Sequence, residues 1–389
     1  MFHKISLVLR LPLSIIESLI PKNKKIWIFG SWFGAKFADN SKYFYHFLNE
    51  NSDINAIWIY KDKTLEDYFK KEKLKACYYK SFSGIFYQLL ASKVFVSHSI
   101  SSDLNPLFIS LNTQRIQMWH GVPLKKIMYD NPAECKWWNK SRLYRLFTNN
   151  FYNYVLSPGP EFNAVFASAF GVSNKKIIDC GYPRNDVFTR TTKVMDDENR
   201  LKVIYMPTYR SNEQSKDLLF SERCKFDFLR LDSFLTANLI ELTIRVHPAN
   251  LPPQKLLEEL KKSKSVRLSS SDDVYEEINN YDCLITDYSS ILFDFAITKK
   301  PIIFSAFDLS EYLSEEREMY HVYQDISGGD EARNWDEVLQ KLLELKAEPQ
   351  KFIYGTVLQK ISGTVVLGEK NSFSKMLYNK LCPEDKLNY

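Results

Sequence analysis

What constrains this chain most is a rhythm. Short runs rich in Ile, Val, Trp and Tyr alternate with longer amphipathic stretches, and the alternation happens in two series. KKIWIFGS, NAIWIY, KACYYK, KVFVSHS and QRIQMWH read as strands, with SKYFYHFLNEN and SFSGIFYQLLAS as helices among them. Near Lys202 a second series begins: LKVIYMPT, ELTIRVHP, SVRLS, DCLITDYSS and KPIIFSA. LPPQKLLEELKKS, DVYEEINN and SSILFDFAIT read as the helices between these strands. Strand–helix–strand order calls for parallel sheets covered by helices. At 389 residues the chain is too long for one ordinary core and suits two. The polar, turn-rich stretch TRTTKVMDDENR reads as the join. WDEVLQKLLELKA and NSFSKMLYNKL read as closing helices. The expected organisation is an N-terminal amphipathic segment (1–24), an α/β domain (25–190), a second α/β domain (191–365) and a C-terminal closing helix (366–389). Two such domains facing each other would hold a ligand in the cleft outside the carboxyl ends of their strands.

Composition excludes several classes. An apolar fraction of 45% with 25% charged residues is that of a soluble globular protein. A net charge of +5 is mild and shows no concentrated basic stripe, so a nucleic-acid partner is not expected. The six cysteines are scattered singly, with no CxxC pair, so neither a zinc site nor a disulfide framework is indicated. GxxxxGK[ST] and GxGxxG are absent, and no DxD pair stands at a strand end. The expected site is free of metal and cofactor, with Arg, Lys, His and a helix dipole meeting a leaving pyrophosphate-type group. The apolar stretch Ile5–Ile20 contains Arg10, Pro12 and Glu17 and is too short and interrupted to span a membrane. Two readings stand open for it: a helix on an anionic membrane face, anchored by Lys22, Lys24 and Lys25, or a docked first helix. Trp137, Trp138, Arg142, Tyr144 and Arg145 suit a headgroup interface or a sugar-binding wall, but an ordinary helix packing its aromatics inward is favoured.

The unusual residues fall at strand ends. His120 follows the strand RIQMW; Gly121 would free the turn, and Pro123 would open a helix carrying Leu124, Lys125 and Lys126. Histidine is the side chain most easily poised for proton transfer near neutral pH. Arg245 and His247 end the strand TIRVHP and would share a face if it stays extended. In YMPTYR, Thr208 and Arg210 offer a hydroxyl and a fork of donors suited to phosphate. The strand CLIT, closing on Thr286, is followed by Asp287, and Ser289 or Ser290 would cap a helix whose N-terminus cradles phosphate. Asp294, one turn in, is either a ligand-bonding group or an acid stabilised by the helix dipole. Arg184 and Asp186 in GYPRND would lock a hinge or line the cleft.

WHGVPLKKI, GYPRND, YMPTYR, IRVHP and ITDYSSILFDF, in this order and approximate spacing, resemble the CDP-glycerol glycerophosphotransferase family of teichoic-acid primases and polymerases and their capsule-polymer relatives. The resemblance runs from about Lys25 to Asp325 and includes FDLSEYLSEEREMY. It implies an α/β, GT-B-like fold of two Rossmann-like domains. It also implies transfer of a polyol phosphate from CDP-glycerol or CDP-ribitol to a hydroxyl of a saccharide or polyol-phosphate acceptor, polymeric or lipid-linked, with release of CMP. By motif, His120 would be the base on the acceptor hydroxyl and His247 the second essential histidine, near the donor phosphates. Lys125 would sit close to the transferred phosphate, with Thr208, Arg210, Arg245, Thr286, Ser289, Ser290 and Asp294 in the donor site. Val122 stands where the family often has Thr, which bears on the substrate more than on the reaction. Such an enzyme would work at the cytoplasmic face of the cell membrane, peripherally bound. The competing readings are a GT-B glycosyltransferase using a nucleotide sugar and a non-catalytic membrane-associated scaffold of polymer assembly.

Overall fold

In a computed structural model of the protein, residues 16–133, 135, 145, 151–189, 200–210, 218–247, 250–269, 271, 273–315, 318–349, 352, 358–359 and 372–384 are described. They fall into two compact units: Met1–His120, Ile127–Thr189 and Leu367–Tyr389 form the first, Gly121–Lys126 and Arg190–Val366 the second. The chain thus leaves the first unit at His120, contributes Gly121–Lys126 to the second, and returns.

The first unit is built on a seven-stranded sheet in the order β3-β2-β1-β4-β5-β6-β7. Its strands are β1 (Asn23–Gly30), β2 (Asn55–Tyr60), β3 (Ala76–Tyr78), β4 (Ala91–Val96), β5 (Gln114–Gln117), β6 (Tyr154–Ser157) and β7 (Ile177–Asp179), all paired in parallel. Buried on both faces, the central strands are continuous hydrophobic runs rather than alternating ones. Register explains the aromatic choice. Phe29 pairs with Trp58 on one side and Phe95 on the other, and the three rings stack, with centroids 6.5 and 4.5 Å from Phe29. Such rings bury about 150–250 Å² each and dominate the core. The C-terminal helix Phe373–Leu381 belongs to this unit; Tyr378 lies 6.3 Å from Trp27.

The second unit carries a five-stranded parallel sheet in the order β10-β9-β8-β11-β12: β8 (Leu201–Met206), β9 (Ile240–Ile244), β10 (Val266–Leu268), β11 (Cys283–Thr286) and β12 (Ile302–Phe304). Trp335–Ala347 forms the expected amphipathic helix, N-capped by Asn334. DVYEEINN does not form an α-helix. It makes two 3-10 turns, Val274–Glu276 and Ile278–Asn280, because the Asp273 side chain accepts from Tyr275 N at 3.1 Å and closes a tight turn instead.

Both units are Rossmann-like α/β layers, the GT-B-like class. In each, strand order reverses once, between β1 and β4 in the first and between β8 and β11 in the second. The crevice outside the carboxyl ends at such a reversal is where open α/β sheets hold ligands. None of the described helices is long and apolar enough to cross a membrane. Of the N-terminal segment, residues 1–15 lie outside the described residues, as do residues 190–199 of the join and Trp137, Trp138, Arg142 and Tyr144. Ile16 and Leu19 are 62% and 79% exposed, and the Arg145 guanidinium donates to the carbonyl of Gly171 at 3.0 Å.

Candidate active site

His120 stands three residues past β5, beside the reversal of the first sheet. Its Nδ1 lies 3.1 Å from the Ser97 carbonyl oxygen. A carbonyl only accepts, so Nδ1 carries the proton and Nε2 keeps a lone pair. The ring is held between others: His98 stacks on it at 4.4 Å and 11°, Trp119 lies at 4.1 Å, and Trp32 at 5.8 Å. Burial first, and then the neighbouring His98 ring, depress the His120 imidazole to about 4, so it is neutral near pH 7. Burial lowers His98 as well, against the pull of Asp103.

The loops around this ring are tied to buried groups. Asp103, wholly buried, accepts from the backbone N–H groups of Ser97, His98 and Phe33 at 2.8–2.9 Å, joining the ends of β1 and β4. Burial pushes its carboxyl up, opposed by these donors and by His98. Arg184, 2% exposed, donates to Asp39 at 2.7 Å and to the His120 carbonyl at 2.8 Å. Asn40 donates to the carbonyls of Met118 and Trp119. Trp32, Phe33, Asp39 and Trp119 all have left-handed φ, between 47° and 68°. Left-handed backbone at bulky residues costs energy and collects at functional sites.

At the reversal of the second sheet, charge takes the place of rings. Arg210, 3% exposed, donates to Asp308 through Nε (2.9 Å) and Nη2 (3.0 Å), to Asp287 through Nη2 (2.8 Å), and to the Thr208 carbonyl through Nη1 (2.8 Å). The two carboxylates and their hydrogen bonds hold the guanidinium firmly protonated against burial. Asp287 also accepts from Thr208 N and Oγ1 and from Tyr288 N. Tyr288 stacks on Tyr312 at 3.8 Å, and the Lys125 ammonium lies 4.6 Å over the Tyr312 ring. The exposed His247 shares a small pocket with Thr208, Arg210 and Asn250, its ring 4.8 Å from Tyr209.

The structure corrects several local expectations. No helix follows Pro123. Leu124 lies in a bend, Lys125 is bridged antiparallel to Met319, and Lys126 N is bonded to the Glu318 carbonyl. The left-handed turn falls at Trp119, not Gly121. Arg210 is committed to two buried carboxylates rather than presented to a phosphate. Ser290 takes the N-cap position without a side-chain cap bond, and the helix it opens, Ile291–Ala296, has six residues, too short for the expected phosphate cradle. Asp294 is buried and accepts from the Tyr275 hydroxyl at 2.7 Å. Thr286 Oγ1, in a wholly buried residue, donates to the Met206 carbonyl. β9 ends at Ile244, so Arg245 and His247 lie beyond it, and Arg245 is tied to Ser269, Ser271 and Glu277. Arg184 braces the His120 loop within the first unit. Asp186 accepts from the backbone N of Phe373 and Ser374 at the start of the C-terminal helix.

Lys125, Thr208, Arg210 and His247 are thus gathered in the second unit, and His120 and Arg184 in the first; Arg245, Thr286 and Asp294 are engaged in local structure. Sequence reasoning missed His98 and Asp103. The available signal was KVFVSHS, a strand followed at once by a histidine, the same arrangement that singled out His120. Among the described residues no group of three or more His, Cys, Asp or Glu is placed to hold a metal ion.

Residues 13–354 match the family described as CDP-glycerol:poly(glycerophosphate) glycerophosphotransferase. A teichoic acid glycerol-phosphate transferase of Staphylococcus aureus (strain NCTC 8325 / PS 47) is 28% identical over 363 residues, covering 85% of this chain and 86% of the relative. A teichoic acid poly(glycerol phosphate) polymerase of Bacillus spizizenii (strain ATCC 23059 / NRRL B-14472 / W23) is 30% identical over 354 residues, with 85% and 86% covered. The solved structure of the wall teichoic acid polymerase TagF superposes with a TM-score of 0.68 at 24% identity, over 91% of this chain and 87% of that one. At that identity the superposition speaks to the fold alone.

Proposed function

This chain belongs to the CDP-glycerol:poly(glycerophosphate) glycerophosphotransferase family, and on that premise we propose that it transfers glycerol phosphate from CDP-glycerol to a hydroxyl of a teichoic-acid-type polymer or its lipid-linked precursor, releasing CMP. The names of the two relatives support glycerol over ribitol as the polyol. The observation that carries the reading is the neutral His120 ring, its Nδ1 proton tied to the Ser97 carbonyl and its Nε2 left basic. In the proposed step Nε2 takes the acceptor's hydroxyl proton as that oxygen bonds to the distal phosphorus. The bond from this phosphorus to the bridging oxygen breaks, and its electron pair leaves on CMP. His247 and Lys125 meet the charge of the phosphates, while Thr208 and Arg210 hold the β8 and β11 loops in place. Phosphoryl transfer depends mainly on positioning and charge stabilisation, which these residues would supply.

The test is incubation with CDP-glycerol, CDP-ribitol and a panel of nucleotide sugars, with a lipid-linked oligo(glycerol phosphate) acceptor, in buffer and in EDTA. The expected product is CMP from CDP-glycerol at equal rates in both; turnover of a nucleotide sugar alone would overturn the reading. We place the enzyme peripherally on the cytoplasmic face of the membrane, supported by the exposed Ile16 and Leu19 beside Lys24 and Lys25. Flotation with anionic vesicles should depend on residues 1–24.

A further inference from the structure

His98 takes no part in the step proposed above, yet the fold holds it with more bonds than packing needs. It follows β4 as His120 follows β5, and these strands are neighbours, in register through Val96 and Gln117. The His98 backbone N donates to Asp103 at 2.8 Å and its carbonyl accepts from Gln117 Nε2 at 2.8 Å. Its Nδ1 lies 2.8 Å from Ser97 Oγ, and that oxygen also accepts from Trp32 N at 3.0 Å. The ring so braced lies against His120 at 4.4 Å and 11°, close to parallel.

We propose that His98 is a positioning residue for His120: braced by Ser97 and Asp103, its ring covers one face of the His120 imidazole, fixing a single rotamer and tautomer that leave Nε2 open and unprotonated. The inference rests on His120 as the base and names what makes it one. A phenylalanine would fill the same face, but an imidazole adds an electrostatic effect. Two stacked imidazoles repel when both are charged, so a proton on one opposes a proton on the other. The other charged groups around His120 are Asp39 and Arg184, which pair with each other at 2.7 Å, and Asp103, engaged by backbone donors. His98 is therefore the neighbour whose charge changes with pH on the side that disfavours a protonated base.

Two variants separate the contributions. His98→Ala removes the ring; His98→Phe keeps a flat ring without nitrogens. Both are assayed for CMP release from CDP-glycerol with a lipid-linked oligo(glycerol phosphate) acceptor across pH, beside His120→Ala. In His98→Ala, kcat should fall about 10²-fold through misplacement of the base, with KM for CDP-glycerol unchanged. His98→Phe should recover most of kcat but move the acid limb of kcat/KM to higher pH, because the opposing imidazole is gone. Wild-type kcat and acid limb in both variants, with His120→Ala inactive, would overturn the inference and leave the base assignment standing. A normally active His120→Ala would instead overturn the base assignment. The imidazole ¹⁵N spectrum then decides the positioning role by itself: His120 should show Nδ1–H alone in the wild type and mixed tautomers in His98→Ala, and an unchanged single tautomer contradicts it. If His98→Ala does not fold, His98→Asn, which keeps a hydrogen-bond partner for Ser97 but no ring, takes its place.

Discussion

The two sheets reverse strand order in the same way but surround the reversal with different materials. In the first unit the loops after β1 and β4 are pinned by a buried carboxylate accepting backbone N–H groups, and the loop after β5 by Asn40 and Arg184, leaving two neutral imidazoles and an aromatic rim. In the second unit the loops after β8 and β11 are pinned by a guanidinium between two carboxylates, with stacked tyrosines beside it. Burial lowers the proton affinity of both, with different outcomes. It lowers the proton affinity of the rings and so frees a base, whereas the ion network keeps its charges only because each is paired. On the proposed function the first reversal would supply the proton acceptor, while the ion network of the second holds the β8 and β11 loops in shape.

Substitutions can break this contrast. The largest effect is expected from His120→Ala, which should lower kcat by about 10²–10⁴ with little change in melting temperature. In the second unit, Arg210→Ala should act in the reverse sense and destabilise the fold by about 3–5 kcal/mol, because it strands two buried carboxylates. Denaturant unfolding measures it, and an unchanged midpoint would mean that the network is not structural. Acid should act on the first unit through its buried imidazoles. The His120 imidazole sits at about 4 in the folded chain against about 6.5 when unfolded. Its stabilising contribution is complete above pH 6.5 and is lost as pH falls towards 4, since only the unfolded chain takes the proton; the loss is about 2–3 kcal/mol. Melting temperatures at pH 7.5 and 5 should show the decline, and His120→Phe should lessen it, the neighbouring buried His98 adding its own share. The smallest effect, within about 0.5 kcal/mol, is expected of Ser290→Ala, whose side chain caps nothing.

Much of the architecture was legible because parallel strands covered on both faces are short hydrophobic runs that stand out between helices. β6 and β7 escaped notice because YVLS and IID, four and three residues long, are too brief to stand out as runs. At the site, strand ends marked His120 and His247, since a histidine after a strand is a local feature. What the sequence does not show is convergence. Nothing local to YMPTYR reveals that Asp287 and Asp308 meet Arg210, so its donors looked available. Nothing local to KVFVSHS reveals that β4 neighbours β5, so the ring stacked on His120 went unremarked. Gly121 looked like the turn because glycine permits one, yet the chain places left-handed backbone on Trp119, whose ring lies 4.1 Å from His120.

The central claim is that His120 is an uncharged base with a fixed tautomer, and a ¹⁵N NMR titration of its imidazole in the intact protein tests it most directly. The account predicts a proton on Nδ1, a bare Nε2, and no protonation until the pH falls well below 6.5, towards about 4. A ring that titrates near 6.5, or that carries its neutral-form proton on Nε2, would contradict it.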